Sequence, residues 1–145
     1  MTVDPTTLST AQQDLFERYD QAALQTVIGV VGTHFLDRIA DLDAVDPEWA
    51  ANFLQFVSSV HKRTVLDPKT RALVSVGEVV VLGNELGLKL HATNALNAGA
   101  TDAEVAEVIL QTCIFTGFPP AHRALRVFQE LVESRKASSP GSAST

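Results

Sequence analysis

Apolar positions recur along this 145-residue chain with the 3.6-residue period of helices, and nearly every break between them carries a helix start or stop signal. Leu24, Val27, Ile28, Val31, Phe35 and Ile39 follow that period, which predicts one long amphipathic helix or two broken near Gly29 and Gly32. In "DPEW" (46–49) Asp46 is placed to cap a helix and Pro47 to take its first position, where a missing N–H is no loss. Trp49, Phe53, Phe56, Val57 and Val60 are the expected buried face of that helix. "DPKT" (67–70) repeats the device with Asp67 and Pro68, and the helix it opens, "RALVSVGEVVVLG", is apolar nearly all round. Such a helix belongs at the centre of a fold.

Beyond Gly83 the helical pattern resumes through Asn97, and Gly99 stands where a helix C-terminus favours glycine. "TDAE" (101–104) is a capping box ahead of Val105, Val108 and Ile109. Gly117 stops that helix, and "PP" (119–120) starts a last one with Ala124, Leu125, Phe128, Leu131 and Val132 facing inward. No convincing strand pair occurs. The expectation is an all-α chain of six or seven helices, a single domain over 1–136, with the small polar tail 137–145 disordered.

Composition narrows the function classes. An apolar share of 46% and a net charge of −6 place the chain among soluble globular proteins and against general nucleic-acid binding, which needs a basic footprint. Basic clusters such as "HKR" (61–63) read as solvated surface. The absence of a long uninterrupted apolar run argues against a membrane span, and "MTVDPTTLST" lacks the basic and apolar regions of a secretory signal, so a cytoplasmic location is expected. More arginine than lysine, with abundant alanine and valine, points to a bacterial, GC-rich source. The single cysteine, Cys113, forbids an intramolecular disulfide or a CxxC pair and reads as a small buried hydrophobe.

Candidate chemistry gathers in the second half. On a helix, Asn84, Gly87, His91 and Asn94 share one face, with a missing side chain at Gly87 one turn before the histidine. That face is either a solvated stripe with a glycine kink or the wall of a pocket reaching the imidazole, a group able to give or take protons near neutrality. Glu78 interrupts the most apolar segment of the chain, so it needs a partner such as Arg71, a subunit boundary, or a role as catalytic acid or base. "GFPPAHRALR" (117–126) puts His122, Arg123 and Arg126 in the first turns after a proline start, where arginine can grip a carboxylate. His34 and His61 read as packing or surface residues. No HxxxH, ExxH or HExxH spacing occurs, so no metal site is expected, and glycine-rich phosphate loops are absent too.

The run "LDPKTRALVSVGEVVVLGNELGLKLHATNALNAGATDAEVAEVILQTCIFTGFPPAHRAL" resembles the carboxymuconolactone decarboxylase family, as does "DPEWAANFLQFV" before it. The resemblance extends over residues 28–132 and rests on the order of "LDPKTR", "LH", "ALNAG", "ATDAEVAEVI" and "TGFPPAHRAL". It implies an alkylhydroperoxidase D-like helical fold. One branch of that family carries a CxxC followed by a histidine; aligned on His91, its cysteines fall on Asn84 and Gly87, and thiol peroxidase chemistry is excluded. The other branch includes a cofactor-free decarboxylase of 4-carboxymuconolactone, whose motif histidine matches His91. Two of its common glutamates are replaced here, by Ala72 and Gly87; Glu78 and Glu85 are the nearby carboxylates.

The resemblance therefore implies a cofactor-independent enzyme acting on a small carboxylate, lactone or carbonyl compound through an enolate. His91 is the expected acid/base, Asn84 and Asn94 position the substrate, and His122 and Arg123 hold a carboxylate. The alternatives are a repurposed biosynthetic isomerase or cyclase, and a non-catalytic binding or assembly protein. The apolar faces of the central helix and of "VGTHFLDRI" predict a homo-oligomer, and the resemblance implies a trimer or hexamer with Glu78 at the subunit boundary or the pocket.

Overall fold

The structure, a computed structural model, describes residues 3–138. Those residues form α-helices α1–α9 and one short 3-10 turn, Pro5–Thr7, with no strand among them. All-α is the observed class. The segments outnumber the six or seven expected because α1 (Thr10–Arg18) forms at the N-terminus and a kink at Thr112 divides α7 (Asp102–Gln111) from α8 (Cys113–Thr116). No described helix is long and apolar enough to cross a membrane.

The chain divides into two compact units, one ending at Val65 and the other beginning at Leu66. The N-terminal unit holds α1, α2 (Gln21–Val31), α3 (Phe35–Asp43) and α4 (Pro47–His61). The break between α2 and α3 falls at Gly32, whose φ of 91° suits a residue without Cβ, while Gly29 stays inside α2. Leu24, Val27, Leu36, Ile39 and Leu54 form the buried centre of this unit.

α4 starts as its sequence predicts: the Asp46 carboxylate accepts from the Glu48 and Trp49 N–H groups ahead of Pro47. Its buried face differs from the expected one. Ala50, Leu54 and Ser58 are buried, whereas Trp49 and Phe56 are 55% and 67% exposed. The fully buried positions follow a four-residue step of small or aliphatic side chains, and the aromatic rings lie beside it, with Trp49 and Phe53 stacked at 5.8 Å.

A polar clamp closes the same unit. Asp43 accepts from both Arg18 Nη1 (3.1 Å) and Nη2 (2.8 Å), and from the Tyr19 hydroxyl. Burial, then the hydrogen bond to Asp43, raises the Tyr19 phenol from 10 to about 12, while Arg18 and then Tyr19 hold the Asp43 carboxyl below its ordinary range. A raised phenol pKa adds stability that is complete below pH 10 and disappears as pH climbs through about 12. Tyr19 is the sole tyrosine, so a near-ultraviolet absorbance titration reads it directly. Asp43→Asn is expected to bring that titration down toward 10; an unchanged midpoint would show that Asp43 does not hold the phenol.

The C-terminal unit holds α5 (Pro68–Val81), α6 (Glu85–Asn97), α7, α8 and α9 (Phe118–Ser138). α5 packs on α6, α7 and α9, with Ala72, Val76, Val79 and Val80 buried, so its central place is as expected. Asp67 caps α5 through the Thr70 N–H, and Thr101 with Glu104 forms the reciprocal box at α7. Lys69 reaches Glu104 at 2.8 Å, tying the starts of α5 and α7 together. α9 buries Ala121, Ala124, Val127 and Phe128, with Leu125, Leu131 and Val132 packed partly against the core. Helix α9 continues through residues 137 and 138, expected to belong to a disordered tail, because Ala137 favours helix and the Ser138 hydroxyl bonds back to the Ser134 carbonyl. The rest of that tail lies outside the described residues.

Candidate active site

Two glycines precede His91, and the structure gives each its own reason. Gly83 takes φ 66° to turn the chain from α5 into α6, a conformation side chains with a Cβ resist. Gly87 lies inside α6, where the Asn84 side chain folds over it: Asn84 Oδ1 accepts from the Gly87 N–H at 2.8 Å as the helix N-cap. A Cβ at position 87 would lie 2.8 Å from Asn84 Nδ2 and 2.9 Å from its Cγ. The expected gap beside the histidine is therefore filled by the cap amide, and glycine is needed for the close approach.

At 3.6 residues per turn, Gly87, His91 and Asn94 run along one edge of the buried stripe formed by Leu88, Ala92 and Ala95. His91 is half-buried. Asn94, one turn on, is only 8% exposed, and its Nδ2 is buried with no hydrogen-bond partner among the described residues. A buried amide donor without an acceptor costs about 1–3 kcal/mol, and such groups in native folds call for a purpose. A half-buried imidazole and a buried amide donor thus share one helix edge.

Asn84 faces a second feature. With Glu85, Gly83 and Leu88 it lines a small cleft of about 40 Å³ against Pro120, Arg123 and Ala124 of α9. Arg123 is exposed and makes no ion pair among the described residues. The cleft brings Asn84 and Arg123 together but does not include His91. His122 is exposed and stacks on Phe118 at 5.3 Å. Glu85, one of the two carboxylates near the replaced glutamates, is the carboxylate at this cleft.

Glu78 does not join either group. It is exposed on α5 and lines a different groove. Ala72 is buried in the core of the unit and offers no functional group. Cys113, expected to be buried, is half-buried at the start of α8. In the N-terminal unit His34 is half-buried, burial lowers its pKa, and its Nε2 lacks a partner among the described residues.

The Asn84 cap makes a separable prediction. Asn84→Ala is expected to cost about 1 kcal/mol through loss of the N-cap, read as a lowered thermal midpoint, with turnover almost unchanged. A large fall in kcat without a stability change would return Asn84 to the substrate-binding role its spacing suggested.

The sequence profile of the carboxymuconolactone decarboxylase family matches residues 47–130, from the first turn of α4 into α9. The chain belongs to that family. The matched span of the carboxymuconolactone decarboxylase family includes Glu78, Asn84, Gly87, His91, Asn94, His122 and Arg123. An uncharacterized 15.0 kDa protein in the nqo9-nqo10 intergenic region of Paracoccus denitrificans is 34% identical over 93 residues, 62% of this chain and 69% of that protein. The 4-carboxymuconolactone decarboxylase of Acinetobacter baylyi is 28% identical over 120 residues, covering 79% of this chain and 87% of its own. The nitrosuccinic acid decarboxylase of Metarhizium robertsii is 32% identical over 74 residues, 51% of this chain and 52% of the relative.

Proposed function

We propose that this chain is a cofactor-independent lyase that removes carbon dioxide from a small carboxylate or carboxylated lactone, with His91 as proton donor and Asn94 as the group that holds the developing oxyanion. The observation that carries the reading is the buried, partnerless Asn94 Nδ2 one turn from His91. A buried amide donor interacts strongly with charge that appears only during the reaction.

The chemistry needs little else. The C–CO₂⁻ bond breaks, its electron pair moves onto an adjacent acceptor group, and carbon dioxide leaves. The resulting anion takes one proton from the imidazolium of His91, which returns to neutral imidazole. The names of two relatives, a 4-carboxymuconolactone decarboxylase and a nitrosuccinic acid decarboxylase, support this class. Each compound offers an acceptor, a lactone carbonyl or a nitro group, that can receive the electrons left by carbon dioxide. Arg123 beside Asn84 and Glu85 supplies a cation for a substrate carboxylate at the cleft.

The two lost glutamates bear on the choice among reactions. Isomerisation and cyclisation through an enolate need a base to remove a proton as well as an acid to return one. Decarboxylation generates the anion by losing carbon dioxide and requires only the acid. Decarboxylation asks less of the residues present, but the glutamates replaced by Ala72 and Gly87 are those of the decarboxylase branch itself, so the repurposed isomerase or cyclase stands as the second reading. The test is carbon dioxide release from 4-carboxymuconolactone, nitrosuccinic acid and related small carboxylates with purified protein. Release above the uncatalysed rate on at least one is expected. Isomerised products without carbon dioxide would instead establish the isomerase reading.

A further inference from the structure

The corner between α2 and α3 holds an ionisable ring that the proposed chemistry does not use. His34 stands just before α3 and makes no side-chain cap hydrogen bond there. Its ring leans over Gly32, where a Cβ would lie 3.1 Å from His34 Nδ1 and 3.3 Å from Cε1. The Nε2 atom is buried and meets no hydrogen-bond partner among the described residues. A neutral imidazole has one N–H donor, whereas the imidazolium has two. Protonation here therefore adds charge to a ring whose buried nitrogen has no acceptor to turn to, which costs more than an unmet neutral group. The corner suits only the neutral ring.

The charges of the surrounding helices do not answer the proton. α3 packs on α1, α2 and α4. α2 carries no ionisable side chain; α1 brings Asp14, Glu17 and Arg18, and α4 brings Glu48 and His61. α3 itself carries Asp37, Arg38, Asp41 and Asp43. Asp14 and Asp43 are both taken up by Arg18, and Asp37 accepts from Gln12 Nε2 of α1 at 3.1 Å. Burial first, then Arg38, holds the His34 pKa below its ordinary 6.5, against a smaller pull from Asp37. The start of α3 also turns the positive end of its helix dipole toward the ring, which disfavours a cation.

We propose that His34 is an acid-sensitive latch on the N-terminal unit: neutral, its ring closes the α2–α3 corner over Gly32, and protonated, it leaves for water and the corner opens. Val31, Phe35 and Leu36 flank the corner and are buried while the latch is shut, so opening it uncovers core. A lowered histidine pKa gives stability that is complete above pH 6.5 and declines as pH falls below it toward the value of the closed ring. A ring that takes its proton only on release raises the opened fraction by up to about 30-fold between about pH 7.5 and about pH 5. His34 lies outside residues 47–130, the span that matches the family, and the latch is independent of the decarboxylase reading.

Trp49 reports on this corner. It is the sole tryptophan, its ring stacks on Phe53 at 5.8 Å, and Phe53 stacks in turn at 6.2 Å on Phe35, the residue after His34. Urea unfolding of the full chain, followed by Trp49 emission at about pH 7.5 and about pH 5, tests the latch. The wild-type unfolding constant is expected to rise roughly 10- to 30-fold in acid. His34→Phe, which keeps a ring but cannot titrate, is expected to lose most of that rise, and His61→Gln to keep it. Should circular dichroism show His34→Phe unfolded, His34→Gln takes its place with the same expectation. A His34 variant as acid-sensitive as the wild type overturns the proposal. So does a wild type equally stable at both pH values, or a rise that disappears with His61→Gln instead.

Discussion

Replacing His91 by alanine is expected to lower kcat by about 10²- to 10⁴-fold, the range a positioned acid or base contributes, with the thermal midpoint almost unmoved. The ring is half-buried on the edge of α6, and the fully buried positions of that helix, Leu88, Ala92 and Ala95, are untouched by the change. The split between kcat and KM carries the diagnosis. A group that donates a proton after carbon dioxide departs acts in the chemical step, so kcat and kcat/KM fall together. A rise in KM alone would make His91 a binding residue. Retained activity would remove it from the chemistry altogether.

Asn94→Leu is expected to move activity and stability in opposite directions. Loss of one preorganised oxyanion donor costs about 10²- to 10³-fold in kcat. The same change removes a buried donor with no partner among the described residues, a group whose unmet hydrogen bond costs about 1–3 kcal/mol, and puts an apolar side chain of similar size in its place. The variant is therefore expected to melt at or above the wild-type temperature while nearly inactive. This pairing separates a functional amide from a structural one, because a residue that merely supports the helix would lose both together. If Asn94→Leu is destabilised and its kcat unchanged, the oxyanion role fails.

The helix starts were readable from sequence because capping is local chemistry. Asp46, Asp67 and the Thr101–Glu104 pair each bond to N–H groups two or three residues away, and each lies where its motif predicts. The choice of buried face was less readable. On α4 the large rings of Trp49 and Phe56 outweigh Ala50 and Ser58 in any hydrophobic count, yet packing inside the N-terminal unit selects the smaller side chains. Gly87 was visible as an oddity whose meaning depended on the rotamer of Asn84, three residues away. Spacing alone puts Asn84, His91 and Asn94 on one helix face, either a solvated stripe or a pocket wall. In the folded chain Asn84 turns back to cap its own helix, and only Asn94 remains buried beside the histidine edge. That its amide nitrogen meets no acceptor depends on neighbouring helices, which residue spacing cannot display.

The tight fit of Asn84 over Gly87 also shapes how this sequence can change. In the resemblance drawn from the sequence, the cysteines of the thiol-bearing branch align on positions 84 and 87, so bringing both thiols here takes two substitutions. Gly87→Cys made first drives its Cβ to within 2.8 Å of the capping amide and expels it. Asn84→Cys made first leaves the Gly87 N–H without its strong acceptor, since a thiol is a weak one. Each intermediate is handicapped for a different reason, and the pair is expected to deviate from additivity. An evolving lineage faces a valley between the two branches, and an engineer who wants sulfur beside His91 should change both positions at once.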